Sequence, residues 1–259
     1  MRMNSNQEQP KITVLNLQQI ADMLVLNGTL VNCPGLIHGK TGVAIFFAHY
    51  ARFTGNKLFD NYTMDLIHEI LEQIHVDSPA DYEKGIAGIG VGIDYLVRNG
   101  FLEADKDIFG DFDQRMVRAV MYDPWQDFSL YDGLTGYGRY WMMRLHQQKP
   151  LTQAKECLWY IIKQLKEKLP DITEKEQTDV SRFLKDLQQL SGFGICVEFL
   201  RQCSHYLNGH LQNAIDVTLN QVTGKSPAGM GLLNGYAGEG MIRLSALHQV
   251  DHSWVQLLL

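Results

Sequence analysis

Glu83 and Asp132 each stand at the opening of a short glycine-rich pattern, and two carboxylates so placed can do acid–base work. Such a pair cleaves glycosidic bonds when the groups face each other at about 5–9.5 Å, one as acid and the other as base or nucleophile. Asp132 belongs to a column of polar residues directly before the pattern: His38, Lys84, Asp132, Gln188 and Asn234. Together with Tyr131, which like Glu83 lies one position earlier, these are candidates for substrate binding, in an enzyme or in a ring that binds peptide without catalysis. Two simpler roles stay open. Asp and Asn readily cap helices by accepting bonds from free backbone N–H groups, and Glu83 can pair with Lys84 or with arginines at the rim.

The pattern recurs as His38-Gly-Lys-Thr-Gly-Val-Ala44, Lys84-Gly-Ile-Ala-Gly-Ile-Gly90, Asp132-Gly-Leu-Thr-Gly-Tyr-Gly138, Gln188-Gln-Leu-Ser-Gly-Phe-Gly194 and Asn234-Gly-Tyr-Ala-Gly-Glu-Gly240. The anchoring glycines, Gly42, Gly88, Gly136, Gly192 and Gly238, are 46, 48, 56 and 46 residues apart. A fixed period of this length marks a repeat architecture. After each motif the chain is apolar nearly all round, as in Val43–Tyr50 and Tyr137–Met143, which predicts an inner helix covered on several sides. Between motifs a one-sided stripe appears, Leu66, Ile67, Ile70, Leu71 and Ile74 in one case and Leu207, Leu211, Ile215, Leu219 and Val222 in another, which predicts outer helices with one wet face.

Each unit is therefore an outer helix, a loop, and an inner helix starting near residues 40, 86, 134, 191 or 236. The expected fold is all-α: five to six helical hairpins curved into a closed α/α toroid, occupying residues 11–259 as one domain after a loose tail at 1–10. Closure is preferred because an open array needs polar capping units, and the last copy is as apolar as the middle ones. The column of small residues Thr41, Ala87, Thr135, Ser191 and Ala237, with Gly or Ala three positions on, predicts close approach of neighbouring inner helices. The longer third interval holds Pro170–Thr178, charged and turn-prone, and is expected as a surface excursion. In a ring, the polar column would line one mouth. Phe46, Phe47, Tyr137, Trp141 and Met142 are expected in the core, and Trp125 on a turn.

Composition closes other readings. Of 259 residues, 23 are Lys or Arg and 29 Asp or Glu, a net charge of −6 that argues against a nucleic-acid partner. No apolar run approaches the ~20 residues of a membrane span, and the polar start MRMNSNQEQP carries no secretory signature, so a cytoplasmic location is expected. Cys33, Cys157, Cys196 and Cys203 form no Cys-x-x-Cys and read as reduced, mostly buried thiols. Cys196, Cys203 and His205 are the one Cys/His cluster; two of them fall near the far end of an inner helix.

The segments Gly35-Leu-Ile-His-Gly-Lys-Thr-Gly42, Leu130-Tyr-Asp-Gly-Leu-Thr-Gly136 and Gly231-Leu-Leu-Asn-Gly-Tyr-Ala-Gly238 resemble the Gly-x-x-Gly repeats of the lanthionine synthetase C-like (LanC-like) family, over about residues 30–250. The resemblance implies an α/α toroid acting on ribosomally made peptides, with a peptide substrate or a modification enzyme as partner. Enzymes of the family add a Cys thiol to a dehydrated Ser or Thr, using zinc held by two Cys and one His. The two Cys lie two residues before a repeat's first Gly, a column that here reads Ile37, Glu83, Tyr131, Leu187 and Leu233. His38 does precede a motif Gly, but without a Cys neighbour. Five motifs are also fewer than the seven typical of the family. The expectation is thus a LanC-like peptide-binding or accessory protein with no zinc, no cofactor and no thioether cyclase chemistry. The alternative is a six-hairpin glycosidase-like enzyme using Glu83 and Asp132.

Overall fold

The computed structural model describes residues 8–28, 30–103, 108–124, 127–146, 152–190, 203 and 229–259, with side chains of the first helix from Leu17 onward. Regular structure among them is helical: α1 (Glu8–Gly28), α2 (Lys40–Thr54), α3 (Lys57–Glu72), α4 (Ile86–Arg98), α5 (Gly110–Met121), α6 (Leu134–Leu145), α7 (Thr152–Lys168), α8 (Glu174–Gln189) and α9 (Tyr236–Ala246), with short 3₁₀ turns at Leu169–Asp171 and His252–Leu257. No strand occurs among the described residues. The helix expected near residue 191, the stripe from Leu207 to Val222, Trp125, Cys196 and His205 lie outside them. Of the stretch expected as a loose tail, residues 1–7 also lie outside, and α1 already begins at Glu8. Pro10 is tolerated there because first-turn N–H groups have no partner within the helix.

Two compact units divide the chain. In the first, α2 packs against α1, α3 and α9. Being covered on three sides buries every residue from Lys40 to Ala51, which accounts for the apolar sequence all round. Gly55, at φ 67°, ends α2 in the left-handed region, and Asn56 opens α3 by accepting the Leu58 N–H. Phe47 and Tyr50 then meet Phe59 at ring separations of 5.7 and 4.9 Å. Leu66, Ile67 and Ile70 are the buried face of α3, while Asp65, His68 and Glu72 are exposed.

In the second unit, α6 packs against α4, α5, α7 and α8. Asp113 of α5 is buried beneath it, bound by Arg144 through Nε at 2.8 Å and Nη2 at 2.6 Å, and by the Tyr140 hydroxyl at 2.6 Å. The Arg144 guanidinium also lies over the Phe109 ring.

Pro170–Thr178, expected as a surface excursion, holds no buried residue and is built as a 3₁₀ turn followed by the start of a 16-residue helix, α8. Thr173 and Glu176 form a reciprocal capping box that starts this helix where turn-prone composition suggested a loop.

Candidate functional site

The loops before the inner helices share one construction. The N–H at the first helical position reaches the carbonyl seven residues earlier: Lys40 to Cys33 (2.9 Å), Ile86 to Pro79 (2.8 Å), Leu134 to Asp127 (3.0 Å) and Tyr236 to Gly229 (2.9 Å). At the next position, Thr41, Ala87 and Ala237 repeat the bond through N–H, and the Thr41 and Thr135 hydroxyls donate to the Pro34 and Phe128 carbonyls. The N–H groups that a helix start leaves unpaired are thus satisfied by the folded-back loop. The N-cap residues are Gly39, Gly85, Gly133 and Gly235, without side-chain caps, so the polar column is not what caps these helices.

This construction explains the glycines at the helix starts, and no described motif glycine has a positive φ. A Cβ on Gly235 would strike the main chain of Gly231, and one on Gly238 would strike the Leu232 carbonyl. The loop lies against the helix start so closely that only a hydrogen fits.

Neighbouring motifs join in a repeated way. In the second unit the N–H groups of Tyr82 and Glu83 donate to the Tyr131 carbonyl at 2.8 and 3.1 Å. In the first, those of Leu232 and Leu233 donate to the Ile37 carbonyl at 2.8 and 3.2 Å. These are the same columns of the repeat. The correspondence extends to packing: Gly90 accommodates the Tyr140 ring and Gly240 the Phe46 ring, while Gly136 abuts Tyr82 and Gly42 abuts Leu232. The fifth motif therefore meets the first as the second meets the third.

The third motif meets α8 differently. Leu130 holds the column of Tyr82 and Leu232, but its N–H donates to the Asp179 carboxylate at 2.9 Å, and the Phe128 N–H donates to Glu176. Gly138 accommodates Phe183 of the same helix. Helix α8 runs on through Gln188 and Gln189, the positions where the other motifs have a bend and a glycine N-cap. With Gln in place of the glycine, the close loop approach is lost and a helix-compatible residue continues the helix.

His38, Lys84, Asp132, Gln188 and Asn234 are all exposed, although most of their neighbours are buried. Paired loop backbones bring Lys84 and Asp132 onto adjacent loops in one unit, and His38 and Asn234 onto adjacent loops in the other. Asn234 is left-handed at φ 53°, a conformation Asn tolerates. Glu83 is mostly buried and forms an ion pair with Lys84 at 3.2 Å. Tyr131 is half-buried, its hydroxyl pushed up to about 12 by burial, with Tyr82 and Asp179 adding to the shift. Burial also raises Asp81, and the Asp132 charge adds to it.

The second unit also holds a charged cluster that carries no motif. Arg139 binds Asp186 at 3.2 Å, and Arg182 donates to the Leu259 carbonyl at 2.8 Å. Burial and the Arg139 charge lower Arg182, while burial raises Asp179 against the opposing pull of the Leu130 N–H and Arg182. Asp179, Glu176 and Arg182 escaped sequence reasoning because they stand on α8 outside any repeat column. The Thr173-x-x-Glu176 spacing was the one readable signal.

Among the described residues no three His, Cys, Asp or Glu side chains are grouped so as to hold a metal. Cys157 and Cys203 are buried, and burial raises their thiols to about 12 and about 11, the reverse of what thiolate ligation asks. No described helix is long and apolar enough to cross a membrane. Compared with known proteins, the chain matches no family model and no curated protein.

Proposed function

We propose that this chain is a LanC-like peptide-binding protein, a five-membered α/α toroid whose exposed polar column engages a ribosomally made peptide, or the enzyme that modifies it, in the cytoplasm. The observation that carries the reading is the equivalence of two junctions. Motif five joins motif one through the same carbonyl column, the same glycine–aromatic contact and the same glycine–loop contact that join motifs two and three. A last motif that meets the first as consecutive motifs meet is what a closing repeat array requires, and it supports the reading.

The zinc of the family does not fit the donors described here. Its thiolate column is Ile37, Glu83, Tyr131, Leu187 and Leu233, in which Ile37 and Leu187 are buried apolar side chains. No reaction step is therefore assigned to a metal. What these residues offer a peptide is hydrogen bonding: the His38 and Asn234 side chains on one pair of loops, Lys84, Asp132 and Tyr131 on the other.

Calorimetry with precursor peptides encoded beside the gene tests the reading. Wild type should bind one of them, and Lys84→Ala with Asp132→Ala should weaken capture about tenfold or more, each lost charged hydrogen bond being worth roughly 1.5–3 kcal/mol. Absence of binding at high micromolar peptide, together with turnover in a glycoside screen that Glu83→Ala abolishes, would replace it with the hydrolase alternative.

A further inference from the structure

Helix α7 carries an indole into solvent: Trp159 is 45% exposed, whereas Trp141 and Trp254 are fully buried. At 100° per residue, positions 155, 159, 163 and 166 fall within one arc of about 80° on a helix. Here they are Lys155, Trp159, Lys163 and Lys166, all exposed. None of the three lysines forms an ion pair with a described residue. The opposite face, Ala154, Cys157, Leu158, Ile161 and Leu165, is buried and holds the helix in place. On a protein of net charge −6, three lysines without an ion pair to a described residue, grouped around an exposed aromatic ring, make a locally basic stripe.

We propose that this stripe is a docking surface for an acidic segment of a partner polypeptide, its carboxylates meeting the lysines and an apolar side chain covering the Trp159 ring. Charge complementarity sets the sign of the partner, and the shape of the stripe sets its form. From Lys155 to Lys166 it runs about 16 Å, the span of roughly five extended residues. Exposed Glu156 and Glu167 border it along one side. A broad anionic bilayer would press against those two carboxylates, whereas a narrow acidic segment lies beside them. The surface stands on an outer helix and is independent of the motif-end reading.

The test uses the full chain and a fluorescein-labelled heptapeptide of six glutamates around a central leucine, followed by anisotropy. Wild type should bind with an affinity that falls as salt rises, as charge pairing at a surface requires. Reversing Lys155, Lys163 and Lys166 to Glu should weaken binding about tenfold or more, and Trp159→Ser should weaken it while keeping the salt dependence. Lys84→Ala and Asp132→Ala should leave it unchanged, which separates this surface from the motif ends. Circular dichroism of each variant should match wild type, since all four side chains are exposed. The proposal is overturned if wild type fails to bind at about 1 mM peptide, if the reversed or Trp159→Ser protein binds as wild type does, or if the stripe prefers phosphatidylserine vesicles to the peptide.

Discussion

Asp179 accepts the Leu130 N–H at 2.9 Å and so does with a side chain what a loop carbonyl does at two other junctions. Where Tyr82 and Leu232 find a main-chain oxygen on the next motif, Leu130 finds α8. Phe183 of the same helix fills the space over Gly138 that Tyr140 and Phe46 fill elsewhere. One helix thus supplies both contacts, a carboxylate in place of the loop carbonyl and a ring in place of the inner-helix ring. Removing the acceptor with Asp179→Ala should cost about 1–3 kcal/mol, the desolvation penalty of an unmet buried N–H, and Asp179→Asn, which keeps an acceptor oxygen, should cost less than about 1 kcal/mol. Urea unfolding of the two variants measures the difference.

The motif glycines make a steric prediction. Gly238→Ala places a methyl group against the Leu232 carbonyl, main chain that cannot swing aside, and should destabilise by more than about 2 kcal/mol. At Gly55 nothing stands within 4 Å of an added Cβ, and only the left-handed backbone resists, so Gly55→Ala should cost about 1–2 kcal/mol. Thermal unfolding should rank them in that order.

Buried charge gives a third test. Asp113→Ala leaves the Arg144 guanidinium without its carboxylate in the core and should cost about 3–5 kcal/mol. Asp113→Leu combined with Arg144→Met, which removes both charges, should recover much of that loss in chemical denaturation.

His49 on α2 predicts a pH dependence. Burial, with the Arg52 charge adding, lowers it from 6.5 to about 4. An unfolded chain therefore takes up this proton as pH falls through about 6.5, whereas the folded protein refuses it until about 4. The contribution of neutral His49 is complete above the upper value and is lost across that window, by at most about 3 kcal/mol. In urea titrations from pH 7 to pH 4, His49→Gln should show a smaller decline than wild type.

The exposed column should behave unlike the core. Replacing Lys84 or Asp132 by Ala should change stability by no more than about 0.5 kcal/mol, so any loss of peptide capture reports on binding. Asn234→Gly should be close to neutral, because glycine accepts the left-handed conformation found there, and Asn234→Ala should cost about 1 kcal/mol. Calorimetric unfolding distinguishes the pair.

Helix starts at Lys40, Ile86, Leu134 and Tyr236 were legible because the motif encodes them locally: glycines admit the folded-back loop, and apolar residues all round require burial. The exposure of His38, Lys84, Asp132 and Asn234 was legible for the same reason, polar residues standing between obligatory glycines. The part played by Asp179 and Phe183 was not. Their neighbours are joined to them only by tertiary packing, and no spacing within α8 distinguishes them from other residues of an amphipathic helix. Propensity alone left side-chain caps by Asp132 and Asn234 open, but the loop carbonyls take the N–H groups.

The contact between Leu232 and Ile37 also sets an order of assembly. These two residues lie near opposite ends of the sequence, whereas α2 and α3, or α6 and α7, are joined by short connections and can pair as soon as both are made. Closing so long a loop is entropically slow compared with such local pairings. During synthesis, α2 must wait for α9 with its Phe46 ring uncovered on the side that Gly240 will later fill, while residues 75–217 of the second unit emerge in between. The first unit is thus begun before the long central stretch of the second and completed only after it.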